Sequence, residues 1–130
     1  MKIAIYCLLS AATSALAVAQ DFGPQQVITT AADGAECVKA ADLDGDGDID
    51  VLSASRTDDK IAWYENDGAA NPSWTAADIA TSADYAFAVH VADMDGDGDL
   101  DILSASKNDD AIAWYENDGS ESFTAHTITT

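Results

Sequence analysis

A shift of 51 residues superimposes the chain on itself: residues 42 to 68 align with 93 to 119 without a gap, and six of the 27 pairs differ. Four of the six changes are mild, namely Leu43/Met94, Ile49/Leu100, Val51/Ile102 and Arg56/Lys107. Outside this block the match continues through Ile28/Ile79, Asp33/Asp84 and Val38/Val89, and after a shared Glu-Asn-Asp-Gly the spacer is two residues shorter in the second copy. Trp74 then falls opposite Phe123, and Ile79 opposite Ile128. A period near fifty calls for stacked supersecondary units, because one such unit cannot bury its apolar faces alone.

Each copy divides into four short apolar stretches, which in the second are Phe87 to Ala92, Ile102 to Ser106, Ile112 to Glu116 and Phe123 to Ile128. They are rich in Val, Ile, Trp, Tyr and Ala, and Asn-Asp-Asp and Asn-Asp-Gly punctuate the turns, so each reads as a β-strand. The adjacent Trp114 and Tyr115 place a ring on each face of one strand. Cover on both faces suits a β-propeller blade, packed by neighbours on two sides, better than a sheet with one wet face. Trp63, Tyr64, Trp114 and Tyr115 are therefore read as core, in preference to a sugar-stacking platform. The expected fold is all-β: two four-stranded propeller-type blades after a leading strand near Val27 to Thr30, an incomplete propeller. The expected divisions are a signal peptide over 1–19, leading strand and linker over 20–35, blade unit 1 over 36–81 and blade unit 2 over 82–130.

Inside the repeat lies the chemistry. Residues 42–50 read DLDGDGDID and residues 93–101 read DMDGDGDLD, so Asp42, Asp44, Asp46, Asp48 and Asp50 recur as Asp93, Asp95, Asp97, Asp99 and Asp101. So many like charges in a short loop repel one another, and a cation relieves them. The aspartates stand at positions 1, 3, 5, 7 and 9 of a calcium-type loop, with Gly47 or Gly98 at the sharp turn of position 6, and position 7 offers its carbonyl. Hard oxygen donors favour calcium over zinc or copper. The alternative of a merely solvated acidic turn does not account for the same alternation twice. An EF-hand does not fit either, since the flanks are β-like and position 12 is Ser53 or Ser104 where a bidentate glutamate is required.

The runs ADLDGDGDIDVL and ADMDGDGDLDIL, each followed by IAWYENDG, resemble the FG-GAP-like or VCBS repeats of secreted and surface β-propeller proteins, and more distantly the calcium blades of integrin alpha subunits. The likeness spans roughly residues 22 to 130. It implies that the ten aspartates hold two calcium ions in the hairpins between the first two strands of each blade. Phe22-Gly23-Pro24 is not followed by Gly-Ala-Pro, which places the chain with the looser group.

Residues 1–19 carry a lysine near the start, an apolar middle and small residues toward the end, the layout of an export signal cleaved after Ala17-Val18-Ala19 or, as second choice, Ala15-Leu16-Ala17. The serines and the threonine argue against a retained membrane helix. The whole chain carries a net charge of −19, and loss of Lys2 would make it −20. Such an acidic surface repels nucleic acid and anionic lipid. With Cys7 in the signal, Cys37 is left without an intramolecular partner, and its alignment with Ala88 suggests a small buried residue. His90 aligns with Lys39 and His126 with Ala77, so neither histidine recurs, and no nucleophile or phosphate-binding motif accompanies them. The expectation is a secreted, non-catalytic module with structural calcium, meeting a protein or carbohydrate ligand through its loops. The alternatives are a spacer repeat or an accessory domain of a larger exported enzyme. Two blades fall short of the four to eight of a closed propeller. The chain is therefore expected to be part of a longer protein, with self-association or an open two-blade stack as the other solutions.

Overall fold

A computed structural model describes residues 25–129. The expected signal peptide lies outside the described residues. Eight strands follow in order: β1 (Ala35–Ala41), β2 (Asp50–Ser55), β3 (Lys60–Asn66), β4 (Trp74–Ala80), β5 (Ala86–Ala92), β6 (Asp101–Ser106), β7 (Ile112–Asn117) and β8 (Phe123–Thr129). They form two antiparallel meanders, β1-β2-β3-β4 and β5-β6-β7-β8, each strand beside its neighbour in sequence. No helix occurs among the described residues. The molecule is all-β, two four-stranded blades that do not close into a barrel.

The registers repeat as faithfully as the sequence. Leu52 faces Trp63 across β2 and β3, as Leu103 faces Trp114 across β6 and β7. Bulges recur at Ala35/Cys37 and Ala86/Ala88, and again at Ile61/Ala62 and Ile112/Ala113. The β2–β3 and β6–β7 turns each place the second residue of an Asp-Asp pair in the left-handed region, Asp59 at φ 55° and Asp110 at φ 53°. Aspartate tolerates that conformation better than most residues. Asp59 also joins the units, because its carbonyl accepts from Ala83 N–H (3.0 Å) and its Oδ1 from Tyr85 N–H (2.9 Å).

The core lies between the sheets. Side chains alternate along a strand, so Leu52, Ala54, Ile61 and Trp63 share one face of the first sheet and pack against Val89, Ile102 and Tyr115 of the second. Trp63 meets Phe123 edge to face, ring centroids 6.1 Å apart. Tyr64 and Tyr115, both buried, direct their hydroxyls to Ser53 (3.3 Å) and Ser104 (3.2 Å). This gives the recurring Ser-Ala-Ser run a polar task inside a sheet.

Three expectations need correction. Val27 to Thr30 joins neither sheet; it runs as irregular chain, with Gln26 Nε2 donating to Asn71 Oδ1 (2.7 Å) and Ala31 N–H to Thr29 Oγ1 (3.0 Å). A strand needs a neighbour for its backbone groups, and none is available to it among the described residues. Trp114 is only half-buried, unlike Trp63, because its face of the second sheet is uncovered. Cys37 is likewise half-buried, its Sγ 3.7 Å from the carbonyl of Val89 in the other blade.

Candidate metal centres

Each acidic loop connects the first two strands of its blade, β1 to β2 and β5 to β6. Its turns are made by the aspartates themselves. Asp44 Oδ1 accepts from Asp46 N–H (3.1 Å), Asp46 Oδ1 from Asp48 N–H (2.8 Å) and Asp42 Oδ2 from Gly47 N–H (3.1 Å). In the second loop Asp95 Oδ1 accepts from Asp97 N–H (3.2 Å), Asp97 Oδ1 from Asp99 N–H (2.9 Å) and Asp93 Oδ2 from Gly98 N–H (3.2 Å). Gly47 and Gly98 take φ of 98° and 102°, the left-handed turn expected of position 6.

Carboxylate oxygens of Asp42, Asp44 and Asp46 lie within 4.8 Å of one another, as do those of Asp93, Asp95 and Asp101. Asp42 Oδ1 is buried and has no hydrogen-bond partner. An orphaned carboxylate oxygen facing two more carboxylates fits a hard divalent cation, which would supply the missing contact. In the second loop both oxygens of Asp93 accept backbone N–H groups, Oδ1 from Gly96 (2.7 Å) and Oδ2 from Gly98. The Asp44 carboxyl sits above its ordinary range, chiefly through burial, with the charges of Asp50, Asp46 and Asp42 adding to it against the lowering hydrogen bond from Asp46 N–H. For Asp95 the largest influence is the lowering hydrogen bond from Asp97 N–H. Desolvation and the charges of Asp97, Asp101 and Glu116 together exceed it and leave the group raised.

The ten aspartates do not play one part. Asp50 and Asp101 are fully buried. Asp50 accepts from Leu43 N–H (3.1 Å) and Asn66 N–H (2.9 Å), and Asp101 from Met94 N–H (2.9 Å) and Asn117 N–H (2.8 Å). Each pins the start of the loop to the end of the third strand, and Asp101 still reaches the cluster of its loop. The side chains of Asp48 and Asp99 turn toward the Glu-Asn-Asp-Gly segments, where a Cβ on Gly68 or Gly119 would collide with their carboxylates. That leaves position 7 its carbonyl as a donor.

Sequence reasoning missed the asparagines of those segments. Asn66 Nδ2 donates to Ile49 O (3.0 Å), and Asn117 Nδ2 to Leu100 O (3.1 Å), fastening the end of each loop. Glu65 was also missed; burial first, then the charges of Glu121, Asp44, Asp50 and Asp46, raise its carboxyl. The signal was available, since Glu-Asn-Asp-Gly recurs unchanged while neighbouring loop residues vary.

Stacked four-stranded blades with an acidic turn between the first two strands of each define a propeller-type repeat module as a class. The FG-GAP-like repeat model matches residues 42–104 and 93–130, and the chain belongs to the FG-GAP-like repeat family. Neither the curated proteins nor the solved structures yield a significant match.

Proposed function

We propose that the chain is a secreted adhesion or ligand-binding module whose two acidic hairpins are stapled by calcium. The observation that carries the reading is the buried, unpartnered Asp42 Oδ1 beside Asp44 and Asp46. Asp42, Asp44 and Asp46 would hold one ion, and Asp93, Asp95 and Asp101 the other, with the carbonyls of Asp48 and Asp99 as further donors. Bound calcium neutralises the clustered charge and adds its binding free energy to that of folding. At millimolar extracellular calcium, a dissociation constant of about 10⁻⁴ to 10⁻³ M would keep such a site between about nine-tenths and about half filled. Among the described residues no helix is long and apolar enough to cross a membrane.

Ligand contact falls to the rim opposite the metal loops. There the Arg56 guanidinium lies 5.7 Å from the centroid of the Tyr85 ring and Lys107 Nζ lies 5.3 Å from it, two cations on one aromatic in a chain of net charge −19. Arg56 also pairs with Glu36 at 2.6 Å. Aromatic and cationic groups together suit an acidic sugar or a carboxylate-bearing peptide. The reading assigns no catalytic step to the chain.

The test of the staple is a thermal melt with calcium and with chelator. Calcium at 100 times the dissociation constant stabilises by about 2.7 kcal/mol per site, and Asp42→Asn removes the contribution of the first site. An unchanged melt sinks the metal reading. A glycan array with acidic sugars, read with the wild type and with Arg56→Ala, tests the ligand. Binding lost in Arg56→Ala supports the rim, whereas silence of the wild type across the array moves weight to a spacer.

A further inference from the structure

The two blades bury complementary faces against each other, and the counterpart faces at the ends of the stack are only partly covered, with Tyr64 buried but Val38 exposed on one and Ile112 exposed on the other. Leu52, Ala54 and Ile61 of the first sheet are fully buried against the second. Their repeat equivalents Leu103, Ala105 and Ile112 look outward, Ile112 being 42% exposed. In the other direction, Val89 is 2% exposed inside the junction, whereas its equivalent Val38 is 65% exposed on the free face of the first sheet. Leu43, Leu52, Ala54, Ile61 and Val89 of the internal junction therefore have identical or closely similar counterparts, Met94, Leu103, Ala105, Ile112 and Val38, that are half-buried or exposed, whereas Tyr64, the counterpart of Tyr115, stays buried.

We infer that this chain associates head to tail with further copies of itself, the free face of unit 2 in one copy docking on the free face of unit 1 in the next. The occupant follows from the internal junction, which the same residue types would rebuild between chains. Trp114 would meet Trp74 of the next copy, as Trp63 meets Phe123 within the chain. Met94, 47% exposed, would enter the next copy as Leu43, 2% exposed, enters unit 2. Leu43 is received there by Asn117 Nδ2, which donates to its carbonyl at 3.2 Å. The receiving group for Met94 is Asn66 Nδ2, which is otherwise engaged only with Ile49 O.

The receiving face is shaped for this. A groove of about 400 Å³, bordered by Ile28, Val38, Val51 and Tyr64, opens over the first sheet. Ile28 holds the repeat position of Ile79 and Ile128. It belongs to no sheet, so the arriving end of β8 can displace it without breaking a ladder. The contact is heterologous, which closes into a ring or continues as a filament. With the two blades of the described residues, and about four to eight blades per propeller, a ring closes at about two to four copies. Both partners are strongly acidic, so association strengthens as salt screens them.

The test is the mass in solution of the full chain, by light scattering on an eluting column at about 0.15 M salt. The wild type is expected at about two to four times the single-chain mass, and Val38→Glu and Ile112→Glu are each expected at the single-chain mass. Both side chains are exposed, and far-UV circular dichroism confirms that the variants fold. Met94→Asp, on a loop whose hydrogen bonds come from other side chains, repeats the second arm. Mixing Val38→Glu with Ile112→Glu restores one intact junction and yields a one-to-one dimer, which a symmetric contact does not produce. A wild type of single-chain mass at ~100 times the concentration of a micromolar junction, variants that keep the wild-type mass, or a mixture that stays monomeric overturns the inference.

Discussion

The side-chain amide of Asn117, at the end of β7, donates to the carbonyl of Leu43 in the acidic loop of the other blade, 3.2 Å away, and also holds Leu100 O at 3.1 Å. One buried asparagine thus ties its own acidic loop to that of its neighbour. Its repeat equivalent Asn66 donates to Ile49 O alone and is half-buried.

Asn117→Ala is therefore expected to cost more than Asn66→Ala. Removing the amide leaves two carbonyls without their donor, one of them in a buried contact, for a loss of about 1–3 kcal/mol. Both variants lose the bond that the amide oxygen accepts from Gly68 or Gly119 N–H, but Asn66→Ala leaves only one carbonyl, an exposed one, without its donor, a difference of about 1 kcal/mol. Urea midpoints at constant slope measure both, and equal losses contradict the bridging role.

Leu52→Ala and Leu103→Ala remove the same atoms from equivalent positions. Leu52 is completely enclosed between the sheets, so truncation costs about 2–5 kcal/mol. Leu103 lies on the open face and is half-buried; in dilute solution its truncation costs clearly less. If chains associate as inferred, the gap narrows as protein concentration rises. Denaturant titrations at two concentrations separate the cases.

Gly68 and Gly45 both take positive φ, 65° and 78°, but in different surroundings. A Cβ on Gly68 would collide with the Asp48 carboxylate, while one on Gly45 meets nothing within 4 Å. Gly45→Ala carries the backbone strain alone, about 1–2 kcal/mol. Gly68→Ala adds displacement of Asp48 and is expected to weaken calcium binding as well as stability. Calorimetric titration with calcium reads the difference, and equal affinities in the two variants count against Asp48 as a position-7 ligand.

Protons compete with the metal. Asp44, raised chiefly by burial, and Asp95, raised by desolvation and neighbouring charge against its hydrogen bond, keep part of their protons above the ordinary carboxylate range when no ion is bound. A carboxyl whose folded pKa is raised favours the metal-free fold as pH falls through that window, while calcium requires the ionised form. Affinity for calcium should fall on acidification, and binding at mildly acid pH should release protons. Titration in two buffers of different ionisation enthalpy detects that release, and identical heats contradict it.

Local chemistry was readable because it repeats. The alternating aspartates, with Gly47 and Gly98 at the turn, need only neighbours in the chain to be recognised, and both glycines do adopt positive φ. The strands expected at Phe87 to Ala92 and Phe123 to Ile128 became Ala86–Ala92 and Phe123–Thr129, since apolar runs between Asn-Asp turns leave little freedom of placement. Glu-Asn-Asp-Gly was read only as a turn. Nothing in four residues announces that the asparagine amide reaches loop carbonyls 17 and 74 positions away.

By itself the amino-acid order determined the two units, their strands and the acidic hairpins, all of which depend on contacts within about fifty residues. Only the tertiary structure decided which face of each blade is covered. Leu52 and Leu103, or Trp63 and Trp114, are the same residue in the same local setting, and they differ because burial comes from whatever packs on the sheet. The same reason leaves Val27 to Thr30 outside both sheets, since a strand exists only where another backbone completes its hydrogen bonds.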